Sequence, residues 1–126
     1  GIQGVRLDGQ YHFGWEMYPL PMTDLSPLTY RPLPADALPA CPAFLRGKWQ
    51  IAEEPRDTFL LLDGFRKGFV MVNGHNLGRY FNAAGPQKTL YVPAPFLVRG
   101  ENEIVVFESD GTDRLTVTFL DRPILG

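Results

Sequence analysis

The stretch Phe69-Val70-Met71-Val72-Asn73-Gly74-His75-Asn76-Leu77-Gly78-Arg79-Tyr80-Phe81 decides the fold class. It opens as an apolar run of good β-formers and breaks at Asn73-Gly74. Both turn residues tolerate positive φ, so Asn-Gly between apolar runs is the strongest short signal of a β-hairpin. The chain then passes a second turn signal, Asn76-Leu77-Gly78, into an aromatic pair. The segment reads as strand, turn, strand, and carries no helical catalytic motif. An all-β module follows, whose function has to be argued from its surface and its context.

Further strands surround this hairpin. Leu45, Trp49 and Ile51 alternate with Arg46, Lys48 and Gln50, the period-two mark of a half-buried strand. Thr58–Leu62 and Phe69–Val72 are apolar on both faces and read as central strands. Lys88–Val92, Ile104–Phe107 and Leu115–Phe119 complete the set, separated by Gly, Pro and Asn. Only Pro93–Gly100 reads as helical, for one or two turns, with proline at its start and glycine after its end. Strands at near-regular spacing with such punctuation predict a jelly-roll β-sandwich. No internal repeat is visible.

The first third of the chain is different. Residues 2–20 carry short apolar pieces (Ile2, Val5, Leu7) and then the aromatics Tyr11, Phe13, Trp15 and Tyr18. Residues 19–42 hold seven of the twelve prolines, which excludes a helix or a central strand there. This segment is expected to run extended, either along a partner domain or as a long crossover between sheets. Its leucines (Leu20, Leu25, Leu28, Leu33 and Leu38) would pin it down.

Composition excludes several classes of function. At 126 residues, 44% apolar and 21% charged, the chain fits one domain with a core of its own. A net charge of −2 with no basic stripe argues against nucleic acid as a partner. No apolar run reaches the length of a membrane helix. Cys41 is the only cysteine, which leaves no internal disulfide and no cysteine-based zinc site. His12 and His75 lie far apart, without the spacing of a metal site or a triad. The start at Gly1, with no signal peptide, is what a piece of a longer protein would show.

Three separated motifs carry a family resemblance: Gly68–Phe81, then Gly85-Pro86-Gln87-Lys88-Thr89-Leu90-Tyr91-Val92-Pro93, then Leu97 with Gly100–Glu108. Together with Gly14-Trp15-Glu16-Met17-Tyr18-Pro19-Leu20 and Pro42–Gly47, they resemble the C-terminal domain of glycoside hydrolase family 35 β-galactosidases. Phe81 and Phe96 stand where that family often has tryptophan, which keeps an aromatic but weakens any stacking role. The resemblance implies a galactose-binding-like jelly roll. It also implies a parent enzyme whose two catalytic glutamates sit in a separate TIM barrel, so no catalytic residue carries over.

Glycosidases need two carboxyl groups about 5–9.5 Å apart across the scissile bond. The acids here are scattered, and only Glu108, at the end of a buried strand, holds a suggestive position. Its structural reading, a strand-end residue bonded to a neighbouring loop, is the expected one. The turn Asp110-Gly111-Thr112-Asp113 is a weak candidate for calcium, and no metal or other cofactor is expected.

A sugar site needs an aromatic face and fixed planar polar groups. The candidates are Trp15, Asn73, His75, Asn76, Arg79, Tyr80 and Gln87. Each also has a structural reading. Asn73 and His75 serve a turn, Arg79 pairs with an acid such as Glu108 or with a residue of the parent's barrel, Tyr80 and Tyr91 are core residues with tethered hydroxyls, and Trp49 belongs to its strand's apolar stripe. The expected function is a non-catalytic accessory domain packed on a catalytic barrel. The alternative is a carbohydrate-binding module for galactosides. A sandwich that binds other proteins and no sugar is the reading the motifs disfavour.

Overall fold

The computed structural model describes residues 4–34 and 36–125; Ile2 lies outside them. Nine strands and one 3-10 turn make up the described secondary structure. Strands β1 (Val5–Leu7) and β2 (Gln10–His12) form a separate hairpin. Residues 13–42 then run without helix or strand among those described, as their prolines require. The sandwich follows. One layer has the order β3 (Ala43–Ile51), β8 (Gly100–Glu108), β5 (Lys67–Val72), β6 (His75–Phe81). The other has the order β7 (Thr89–Val92), β4 (Thr58–Leu61), β9 (Thr118–Leu120). All pairings are antiparallel.

Alternation along the strands selects the core. Val70 and Val72 of β5, Ile104 and Val106 of β8 and Tyr80 of β6 meet Leu60 of β4 and Leu90 and Val92 of β7. Leu62, Phe65 and Leu97 from the connections join them. Each fully buried leucine or valine contributes about 1.5–3 kcal/mol by leaving water. Trp49 of β3 packs against this core and stacks on Phe119 of β9, with ring centroids 3.6 Å apart, which ties an edge of one layer to an edge of the other. The opposite face of the larger sheet carries a second aromatic group. The register places Phe44, Phe107 and Phe69 in one row, with centroids 4.9 Å and 5.3 Å apart. Tyr30 of the proline-rich segment reaches this sheet and lies under the Arg46 guanidinium, 4.2 Å from the ring centre.

The hairpin read from Asn73-Gly74 is present, with φ of 47° and 80° at the two turn residues. Three boundaries differ from the reading. Asn76-Leu77-Gly78 is not a second turn. Val70 faces Gly78 and Met71 faces Asn76, so Leu77 is the extra residue of a β-bulge, and the bulge turns its side chain to the core. The last strand covers Thr118–Leu120 and not Leu115–Phe119, because β4 ends at Leu61 and turns away at Asp63-Gly64, leaving residues 115–117 nothing to pair with. The strand read from Ile104 begins at Gly100, because β3 is nine residues long and pairs with β8 along its whole length. The helical segment is a single 3-10 turn, Ala94–Phe96.

Side-chain hydrogen bonds fix that turn from two sides. Asn102 is fully buried; its Oδ1 accepts from the Val98 N–H and from Asn73 Nδ2, each at 2.8 Å, and its Nδ2 donates to Val98 O. From the other side, exposed Asp57 accepts from the Ala94 N–H at 2.8 Å and the Tyr91 hydroxyl at 2.7 Å.

Gly68 sits where the sheet has no room for a side chain. A Cβ there would lie 1.7 Å from Phe107 O and 2.9 Å from the Tyr80 hydroxyl. Gly68→Ala is therefore expected to cost about 3 kcal/mol or more, read as a fall in the urea midpoint. The Ala94 and Tyr91 hydrogen bonds hold the Asp57 pKa below its ordinary 3.8. A depressed carboxylate stabilises the fold above its ordinary pKa, and this contribution is lost as pH falls through the depressed value. Asp57→Asn should thus be less stable than the natural chain near neutrality, with the gap closing below about pH 4. Urea midpoints measured across that range check it.

Candidate functional site

At the edge strand β6, alternation puts Arg79 and Phe81 on one face and turns Tyr80 to the other, into the core. The loop after β6 folds back beside them. Its shape comes from Asn82, whose Nδ2 donates to Leu62 O and Phe65 O at 2.8 and 2.7 Å, and from Lys88 Nζ, which donates to Asn82 O at 2.7 Å. Between strand and loop lies a half-open cleft of about 330 Å³, bounded by Arg79, Phe81, Pro86, Gln87 and Lys88. That is the low end of the size of small-molecule sites. The Arg79 guanidinium lies 6.0 Å from the Phe81 ring centre and has no ion-pair partner among the described residues. Gln87 Nε2 donates to Thr89 O at 2.7 Å, which fixes the amide plane. A partly exposed ring, a forked cation and an oriented amide are groups that can meet a sugar's C–H face and hydroxyls.

The sequence candidates fall into three places. Arg79, Tyr80 and Gln87 border the cleft. The Tyr80 hydroxyl, however, is spent inside, donating to Glu108 Oε2 at 2.9 Å and Phe107 O at 3.0 Å. Burial first, then the Glu108 contact, push its pKa far above that of a free phenol. Asn73, His75 and Asn76 gather at the other end of β6. Asn73 uses its side chain on Phe96 O, Asn102 and the Glu103 N–H. His75 stacks flat on Phe96 at 4.1 Å, and Asn76 Oδ1 accepts the Gly78 N–H. Four steps along the strand separate His75 from Arg79, about 13 Å, so the two groups cannot close on one small ligand. Trp15 lies on the exposed opening arm, donates to His12 O at 2.8 Å and takes no part in the cleft. The sequence reading did not name Phe81 as a site residue, nor Lys88. Their signal was present in the alternation of β6, which puts residue 81 on the face of residue 79.

Arg79 does not pair with Glu108, because the two side chains leave their sheet on opposite faces. Glu108 is fully buried at the end of the central strand β8. Its two oxygens accept five hydrogen bonds: from the N–H groups of Arg66 (2.8 Å), Lys67 (3.2 Å), Asp110 (2.9 Å) and Gly111 (3.2 Å), and from the Tyr80 hydroxyl. The Asp110–Asp113 turn beyond it is used internally as well. Asp113 pairs with Arg66 at 3.2 Å, Asp110 accepts from Ser109, and the Thr112 hydroxyl bonds to Gly64 O. Among the described residues, no group of three or more His, Cys, Asp or Glu side chains could hold a metal ion. Tyr91 is exposed and not core, although its hydroxyl is tethered, to Asp57.

A two-layer antiparallel sandwich with a polar, aromatic-edged cleft belongs to the all-β class that the motifs implied. Residues 42–102 match the family model described as "Beta-galactosidase, galactose-binding domain", which, with the relatives that align along much of the chain, supports a galactose-binding domain of a β-galactosidase. Among similar curated proteins, human β-galactosidase-1-like protein 2 is 49% identical over 70% of this chain. β-Galactosidase 17 of Arabidopsis thaliana is 41% identical over 85%, and human β-galactosidase-1-like protein 3 is 39% identical over 99%. The chain spans only 14%, 18% and 19% of the lengths of these three relatives.

The five donors around Glu108 define a test of its role. Glu108→Ala leaves all of them buried without an acceptor and is expected to cost about 3–5 kcal/mol. Glu108→Gln should also destabilise, because an amide N–H then faces a donor. Tyr80→Phe, which removes one donor only, should cost about 1 kcal/mol. Chemical denaturation of the three variants gives this order.

Proposed function

We propose that this chain is a non-catalytic accessory domain of a β-galactosidase, packed on the catalytic TIM barrel of its parent and stabilising it, while the barrel hydrolyses terminal β-galactosides. The observation that carries this reading is apolar surface with no cover of its own. Phe13, Met17, Tyr18 and Leu20 are each 77–89% exposed, and Leu33 and Leu38 of the proline-rich segment are exposed as well. Free monomers rarely present large contiguous apolar surface, whereas interfaces between domains do. The relatives are named as whole β-galactosidases or β-galactosidase-like proteins several times longer, which supports a place beside other domains. Glu108 supports the non-catalytic part: it is shielded from solvent with both oxygens occupied, so it cannot meet a glycosidic oxygen.

A second reading, a carbohydrate-binding module for galactosides, is favoured by one observation, the Arg79–Phe81–Gln87 cleft. The two readings separate by experiment. Sedimentation of the purified chain should show self-association, and addition of the parent's catalytic domain should convert it to a defined complex. A chain that stays monomeric at every concentration and ignores the catalytic domain overturns the accessory reading. Titration calorimetry with galactose and β-galactosides should give heat that is lost in Arg79→Ala if the second reading holds. No heat at millimolar sugar ends that one.

A further inference from the structure

Arg46, Lys48, Arg66 and Arg114 each pair with an acidic side chain on the surface of the sandwich. Three cations around Phe81 are arranged differently. Lys67 of β5 stands directly opposite Phe81 of β6, and Arg79 lies two residues along β6 on the same face. Residues so placed are diagonal neighbours about 7–8 Å apart. Lys67 Nζ and the Arg79 guanidinium lie 5.5 Å and 6.0 Å from the centre of the Phe81 ring, at the outer reach of the attraction between a cation and a ring. Lys88 enters from the loop side of the cleft, with one ammonium N–H on Asn82 O and two to spare. None of the three has an ion-pair partner among the described residues, and no Asp or Glu among them lines the cleft. Three like charges thus gather about one ring, in a chain whose net charge is −2. An anion seated among them relieves their mutual repulsion.

We infer that the cleft takes an acidic galactoside, its ring against Phe81 and its anionic group on Arg79 and Lys88. The inference rests on the carbohydrate-binding reading and goes beyond it in naming the class of sugar. A neutral sugar would leave the three charges as they are, and a bare anion would use the charges and not the ring. Phe81 is 36% exposed, which leaves an apolar surface for the C–H side of a pyranose. Gln87 has one N–H bound to Thr89 O and keeps the other, with its carbonyl oxygen, for hydroxyls. The fork of Arg79 matches the two oxygens of a carboxylate, and such charge-assisted hydrogen bonds are about twice as strong as neutral ones. Lys67, outside the lining, adds its field without contact. A cleft of about 330 Å³ suits one monosaccharide and not a chain of them.

Methyl β-galacturonide and methyl β-galactoside differ only at the sixth carbon, a carboxylate in one and a hydroxymethyl group in the other. Titration of each into the 126-residue chain at low salt, followed by the amide shifts of Arg79, Phe81 and Gln87, tests the inference. The galacturonide should bind about tenfold or more tightly than the galactoside. That advantage should shrink at high salt and vanish in Arg79→Gln. Phe81→Leu should weaken both sugars, and unchanged shifts along β4 and β8 would show that the variants keep the fold. Equal affinity for the two sugars overturns the inference and leaves the carbohydrate-binding reading standing. An advantage that survives Arg79→Gln overturns it as well. So does acetate binding at the same amides as tightly as the galacturonide, which would make the cleft a site for anions and not for sugars. No shift with either sugar at millimolar concentration removes the inference and the carbohydrate-binding reading together.

Discussion

A single buried carboxylate sets the geometry of the larger sheet. Glu108 ends the central strand, and its oxygens collect N–H groups from the start of β5 and from the turn after β8, together with a hydroxyl from β6. These donors come from three stretches of chain 28–42 residues apart from or next to Glu108 itself. Their convergence fixes where β5 begins, how far β8 runs and which way Tyr80 points. A buried carboxylate is costly unless its hydrogen-bonding capacity is filled, so the arrangement admits little variation. Gly68 belongs to the same constraint. Only a residue without Cβ lets β5 pass close enough to Phe107 and Tyr80 for the set of bonds to close.

The consequences reach the cleft. Tyr80 is locked inward, so alternation must place Arg79 and Phe81 outward on the edge strand, where the loop 82–88 can meet them. At the opposite end of the sandwich, the Asn73–Asn102 pair does for the hairpin turn what Glu108 does for the strand ends. Polar groups at both ends of the molecule are thus used up in holding strands together. The polar groups of the cleft are the contrast: Arg79 has no ion-pair partner among the described residues, and the Gln87 amide spends one N–H internally.

Much of the fold was legible because local rules and the core agree. The Asn73-Gly74 hairpin, the alternation of β3 and the doubly apolar runs at 58–62 and 69–72 each have one solution in a sandwich. The boundaries that were not legible depend on partners distant in sequence. Residues 115–117 alternate as a strand should, yet β4 has already turned away. Gly100-Glu101-Asn102 has the composition of a turn, yet a nine-residue neighbour draws it into the sheet. Asn76-Leu77-Gly78 carries turn residues that a bulge also uses. The Asp8-Gly9 turn obeys the same rule as Asn73-Gly74, but its flanking runs are short and carry a weaker signal. Site residues were harder to read than strands. The same side chain, Asn73 or Tyr80, suits sugar recognition or internal bonding equally well, and only the position of its partners separates the two.

Two uncovered features among the described residues place different demands on a partner. The cleft beside β6 offers a few directed polar groups and one ring, and a small polar ligand or solvent satisfies it. The opening arm offers aromatic side chains and backbone edges together, and solvent satisfies only the second. Covering the side chains forces the backbone groups to be matched as well, because each one buried without a partner costs about 1–3 kcal/mol.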